Sequence, residues 1–92
     1  MQSSTLHIID VRTRAEFTSG HIPGAKHIPL HELEARVSEI LPYKNEEIYL
    51  VCAVGGRSKS AQQLITTQGF RQAINISGGT QDWIKQGYLL EE

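Results

Sequence analysis

The chain has 92 residues, of which 39% are hydrophobic and 21% charged, with a formal net charge of -1. This is enough for one domain with a single modest core, and the composition is not that of a disordered chain. No basic face is concentrated enough for nucleic acid or a membrane surface, and a single cysteine excludes an internal disulfide or a multi-cysteine zinc site.

The first residues, Met1-Gln2-Ser3-Ser4-Thr5, carry no positive charge, and the apolar stretch after them is broken by Asp10 and Arg12. Neither a signal peptide nor a membrane-spanning helix is read there. An unpaired thiol fits a reducing compartment, so a cytoplasmic location is expected; removal of a signal peptide would instead allow the periplasm.

Leu6-His7-Ile8-Ile9 reads as a short buried strand ending at Asp10. Thr13-Arg14-Ala15-Glu16 is a capping box that should open a short helix, stopped at Gly20. Arg12 and Glu16 stand four apart and are expected to form a surface pair. Ile22-Pro23-Gly24 is a turn, and Lys26-His27-Ile28 a brief strand cut off by Pro29. Leu30, Leu33, Val37, Ile40 and Leu41 form one apolar stripe, which predicts a helix of about three turns ended by Pro42. Ile48 to Val51 is the clearest strand. Ala61, Leu64 and Ile65 give the following helix its buried face, with Gly69 as its C-prime residue. Ala73-Ile74-Asn75-Ile76 is the last strand, and Gly78-Gly79 opens a final short helix bearing Trp83 and Ile84 and closed by Gly87.

Strands alternating with helices imply an α/β domain, a short central parallel sheet with helices on both faces. Functional groups in such sheets gather at the carboxyl ends of the strands, where both Asp10 and Cys52 fall.

The lone cysteine lies in Val51-Cys52-Ala53-Val54-Gly55-Gly56-Arg57-Ser58, between the clearest strand and the helix that opens near Ser58. Gly55 and Gly56 let the backbone curl so that successive amides face one spot, an anion-binding arrangement. Helix amides from Ser58 onward add to the same field, and Arg57 supplies a forked cation. A lowered thiol pKa and a cradle for a small oxyanion follow, suited to attack on sulfur, phosphorus or arsenic. Cysteine after a strand is by itself more often a small core residue; its combination with this loop favours a nucleophile.

Ile9-Asp10-Val11-Arg12, Glu16-Phe17, Gly20-His21-Ile22-Pro23-Gly24-Ala25 and Ile28-Pro29 resemble the amino-terminal signature of rhodanese domains. Cys52 to Ser58 resembles their active-site loop, and Gly78-Gly79, Trp83 and Gly87-Tyr88 their carboxyl-terminal signature. The resemblance runs from about residue 6 to residue 90 and implies one rhodanese-like three-layer domain over residues 1–92. It implies a sulfurtransferase: Cys52 takes sulfane sulfur from a small donor such as thiosulfate, carries it as a persulfide, and passes it to cyanide, a thiol or a protein acceptor. Amides of Ala53, Val54, Gly55, Gly56 and Arg57, with the helix start at Ser58, would bind the transferred group, and Arg57 would hold the sulfonate end of the donor. No metal or organic cofactor is expected.

Four residues separate Cys52 from Arg57. The related phosphatases and arsenate reductases carry five, so the shorter loop resembles the sulfurtransferases. A sulfur-relay or non-catalytic binding module is the other reading, although such modules often lose the cysteine. Asp10 could orient Arg57 or the neighbouring amides, or simply satisfy its own turn. The chain begins nine residues before Asp10, where family members often carry a further strand and helix, and a reduced sheet is expected. It also lacks the proline common after Tyr88, a difference that bears on packing rather than chemistry. The chain could be a fragment of a longer protein, although caps near both ends argue for a complete domain. His27 and His31 have helical ligand spacing, but Pro29 between them breaks it, and His21 is assigned to packing in its turn. Trp83 is read as a core anchor.

Overall fold

Four short strands build the domain: β1 (His7–Asp10), β2 (Lys26–His27), β3 (Glu47–Val51) and β4 (Gln72–Asn75). The computed structural model describes residues 7–88, 90 and 91. Leu6, read as the first strand residue, and Leu89 lie outside the described residues. All pairings are parallel, in the order β2-β1-β3-β4, with Asp10 opposite Val51 and Ile9 opposite Leu50.

Four α-helices connect or follow these strands: α1 (Arg14–Ser19), α2 (Leu30–Arg36), α3 (Gly56–Thr67) and α4 (Gly79–Lys85). The connection through α1 leads from β1 to its neighbour β2, and that through α3 leads from β3 to β4 on the other side. β1 and β3 are adjacent, so their carboxyl ends form a switch point where the chain departs in opposite directions. Asp10 and Cys52 flank this crevice, and the amide of Val11 extends the pairing by donating to the Val51 carbonyl at 3.0 Å.

Local chemistry accounts for the helix ends. Thr13 caps α1 with the full reciprocal box, its hydroxyl accepting from the Glu16 amide while Glu16 accepts from the Thr13 amide. α3 closes in a Schellman motif: Gly69 donates to the Thr66 carbonyl and Phe70 to the Ile65 carbonyl. Phe70 and Ile65 are both buried, which adds the apolar contact that this motif favours.

The stripe from Leu30 to Leu41 is not one helix. α2 stops at Arg36, and two 3-10 turns follow, Val37–Glu39 and Leu41–Tyr43. Arg36 clamps the transition through Glu32 at 2.9 Å and Glu39 at 2.7 Å. At three residues per turn Val37 and Ile40 remain eclipsed on the core side, whereas Leu41 turns outward and is 40% exposed. Pro42 sits at the start of the second 3-10 turn, where its missing N–H breaks no bond.

Alternate strand residues Ile9, Ile48 and Leu50 meet Leu33, Ile40, Ala61, Ile65 and Phe70 in one core cluster, which also includes Val11 and Cys52. Leu64 packs at its edge. Trp83 is only half buried, its ring 4.8 Å from that of Tyr88, and Ile84 is exposed. The last helix therefore anchors mainly through its buried first residues, Gly79 and Thr80.

Candidate active site

Cys52 is the first residue past β3, and α3 begins only four residues later, two residues earlier than Ser58 suggested. Gly55 makes this possible. Its φ of 101° lies in the left-handed region, and a Cβ there would come within 2.3 Å of the Ser77 carbonyl oxygen. The tight turn folds the chain back so that the Gly55 amide donates to Cys52 Sγ at 3.0 Å and the Ser58 amide at 3.4 Å. Sγ thus sits on the amino terminus of a 12-residue helix, where the backbone dipoles favour negative charge.

Cys52 is 1% exposed, and burial, the largest single influence, pushes its thiol up. The Ser58 hydroxyl and the amides of Ser58, Gly55 and Val54 together outweigh burial and hold the thiol below its ordinary value. Gly55, Ser58 and Val54 are thus the loop members whose groups act on the sulfur. Ala53 contributes its carbonyl to the amino terminus of α4: Thr80 donates to the Cys52 carbonyl at 2.8 Å and Gln81 to that of Ala53 at 3.2 Å. Gly56 begins α3 beside them.

Ser58 Oγ lies 3.5 Å from Sγ and 3.2 Å from the Gly55 carbonyl, and it donates to Asn75 Oδ1. Asn75 Nδ2 in turn donates to the Gly55 carbonyl at 3.4 Å. A hydroxyl has one proton, so the Ser58 O–H can turn to Sγ when the thiol ionises, while the S–H donates to Oγ when it does not. Ser58→Ala removes a donor that favours the thiolate. The midpoint of Cys52 alkylation against pH should therefore move upward, and reaction at neutral pH should slow by about tenfold, the effect of one hydrogen bond to a charged atom. Following iodoacetamide labelling across pH checks this.

Asp10 acts on Arg57 only through its charge and hydrogen-bonds to Arg12 instead. It is fully buried and accepts from Arg12 three ways: from the amide at 2.9 Å, from Nε at 3.0 Å and from Nη2 at 2.8 Å. Nη2 also donates to the Gly20 carbonyl at 2.6 Å. The expected Arg12–Glu16 pair is absent for a related reason. Arg12 precedes the Thr13 cap, outside α1, so helical i,i+4 spacing does not apply to it, and its guanidinium turns inward. Glu16 pairs instead with Arg57, 41 residues away, through Nη1–Oε1 at 2.7 Å and Nη2–Oε2 at 3.0 Å. Hydrogen bonding from Arg57 holds the Glu16 carboxyl at about 2, with burial opposing and Thr13 assisting.

Glu16, Arg12 and Asn75 are site neighbours that the sequence did not single out for that role. Asn75 has a usable signal, a polar residue at the carboxyl end of a strand. Glu16 stood in the amino-terminal signature, but its capping role already explained it.

His21 and His27 both stack on Phe17, with ring centroids 3.8 and 4.5 Å away. Nδ1 of His21 meets the Phe17 carbonyl and Nε2 of His27 the Arg12 carbonyl. His31 is exposed. Among the described residues no group of three or more His, Cys, Asp or Glu could hold a metal ion, and no helix is long and apolar enough to cross a membrane.

The parallel α/β sheet thus carries at its carboxyl edge a thiol held by loop amides at a helix amino terminus. The chain belongs to the rhodanese-like domain family, whose model matches residues 1–86. A Staphylococcus aureus rhodanese-like domain protein of known crystal structure has the same fold, with a TM-score of 0.85 and 36% identity over 99% of this chain and 84% of that one. Among curated relatives, the Bacillus subtilis protein named "Putative sulfur carrier protein YrkF" is 44% identical over 86% of this chain, which spans only 42% of that protein's length. The Escherichia coli thiosulfate sulfurtransferase PspE is 33% identical over 78% of this chain and 69% of its own.

Proposed function

We propose that this domain is a sulfurtransferase in which Cys52 takes sulfane sulfur from thiosulfate or a persulfide and passes it to a thiol. The observation that carries the reading is the contact of Sγ with the Gly55 and Ser58 amides at the start of α3, which hold the thiol below its ordinary value.

In the first half-reaction the Cys52 thiolate attacks the outer sulfur of thiosulfate. A sulfur–sulfur bond forms to Cys52 as the one to the sulfonate sulfur breaks, and sulfite leaves with the electron pair. The Cys52 persulfide anion keeps the charge, close to amides that already point at it. In the second, a thiol gives its proton to the leaving Cys52 sulfur and takes the outer sulfur, regenerating Cys52; in an assay cyanide ion takes the outer sulfur, leaves as thiocyanate and releases Cys52 as its thiolate. Two half-reactions through a covalent intermediate require ping-pong kinetics. Amides of Ala53 to Arg57 are proposed to line the donor site, and Asp10 to support it by fixing Arg12 beneath the strand ends. Four residues between Cys52 and Arg57 favour sulfur over the larger phosphate group. A reducing compartment such as the cytoplasm would keep the thiol free.

One observation favours delivery to a protein acceptor. Val54 on the loop is 64% exposed, and it borders a shallow groove with Gly78, Gln81, Asp82, Ile84 and Lys85. The exposed apolar side chains Val54 and Ile84, set among Gln81, Asp82 and Lys85 beside the cysteine loop, suit a protein surface better than a small thiol.

Intact mass after incubation with thiosulfate tests the reading. The wild type should gain one sulfur atom, lose it to cyanide, and Cys52→Ala should gain none. A folded, reduced protein that gains no sulfur from thiosulfate or from a persulfide donor would rule the reading out. Loading that only a protein can discharge would select relay.

A further inference from the structure

Arg57 is the one cation between Cys52 and Ser58. Both its terminal nitrogens donate to a single carboxylate, that of Glu16, and each takes a separate oxygen. A sulfonate or carboxylate on a donor would need the same fork. Glu16 is not free to yield its place by swinging aside, because its Oε1 also accepts from the Thr13 amide at 2.9 Å and the Thr13 hydroxyl at 3.0 Å. The capping box thus fixes the carboxylate, and the carboxylate holds the guanidinium.

We infer that Glu16 is a positioning residue that competes with anionic donors for the fork of Arg57, so that a donor anion binds by drawing the guanidinium away from the fixed Glu16 carboxylate. The anion's identity as a sulfane-sulfur donor rests on the sulfurtransferase reading. The competition itself does not. Glu16 weakens the site for anions in two ways: it occupies the donors of Arg57 and it cancels the loop's positive charge. The pair is half-buried on both sides, so the effect is moderate and declines as salt is raised.

Glu16→Gln isolates the charge. Glutamine at the same position still serves a capping box, so α1 keeps its start. The readout is the rate of Cys52 alkylation by iodoacetate, an anion, divided by that for neutral iodoacetamide. Both reagents attack the same thiolate through the same opening, so the ratio cancels thiol ionisation and access. The ratio should rise about three- to fivefold in Glu16→Gln, as removal of one partly exposed ion pair allows. Glu16→Ala should behave likewise by a second route. With thiosulfate, KM should fall by a similar factor while kcat moves less. In the Glu16→Gln/Arg57→Gln protein the gain should disappear.

An unchanged or lower ratio in folded Glu16→Gln would overturn the inference. So would a gain of equal size when Arg57 is also replaced, since charge removal alone would then explain it. If the ratio rises as expected while the wild type never loads sulfur, the competition stands and the sulfurtransferase reading falls.

Discussion

Arg12→Met should destabilise the domain by about 3–5 kcal/mol, the cost of leaving a buried carboxylate without its partner. Asp10 is 0% exposed, and the Arg12 residue as a whole only 6%. Arg12 supplies three hydrogen-bond donors to Asp10, and a further bond, from Nη2 to the Gly20 carbonyl, ties the end of α1 to the end of β1. Methionine fills a similar volume and keeps the backbone amide bond to Asp10, but its side chain replaces neither the guanidinium donors to the carboxylate nor the one to the Gly20 carbonyl. A domain of this size has about 5–15 kcal/mol of stability in all, so much of it should be lost. The melting temperature should fall by roughly 15–30 °C. Asp10→Leu combined with Arg12→Met should recover much of that loss, because the apolar pair leaves no buried charge. Urea unfolding of the two single variants and the double variant measures this. A loss below about 1 kcal/mol in Arg12→Met would show that Asp10 finds another partner or that water reaches it.

The same pair shows where sequence reading succeeds and where it stops. The strand-end rule put Asp10 and Cys52 at one edge, and the sheet order confirms their strands as neighbours. Periodicity, capping and turn signals placed the four strands and the starts of the four α-helices to within about two residues, because alternation and capping are local. Periodicity overran at Arg36, where a change from α to 3-10 winding keeps the apolar stripe on the core side almost unaltered. Partner choice among charges was not legible. Arg12, Glu16 and Arg57 offer several pairings at sequence level, and the choice depends on which guanidinium is buried and which carboxylate faces the loop. The loop's amides were anticipated as a group, but which of them reach Sγ depends on the φ of Gly55, a three-dimensional fact. Gly78-Gly79 was legible as a helix start and as part of a signature, but its contact with the cysteine loop emerges only from how closely α4 approaches it.

Gly79→Ala should therefore impair the chemistry through a residue that touches no substrate. The φ of Gly79 is 60°, a left-handed conformation that disfavours any side chain by about 1–2 kcal/mol. Space is the larger obstacle. A Cβ would lie 2.2 Å from the Cys52 carbonyl oxygen and 2.4 Å from that of Ala53, both backbone atoms that cannot swing aside. These carbonyls accept from Thr80 and Gln81, so α4 either retreats and gives up both bonds or pushes the loop. The two bonds contribute about 1 kcal/mol each, which puts the total cost near 3–4 kcal/mol. Displacing Cys52 by even about 1 Å from the amides that stabilise its charge can cost about a hundredfold in rate. Cyanide-dischargeable sulfur loading should fall by that factor, and the thiol should titrate closer to an ordinary cysteine. Gly87→Ala supplies the control: its φ is 92°, equally strained, but a Cβ there meets nothing within 4 Å. It should lose stability to backbone strain alone and load sulfur at the wild-type rate. If Gly79→Ala and Gly87→Ala load equally well while both remain folded, the close approach of α4 is not what holds the cysteine loop in place.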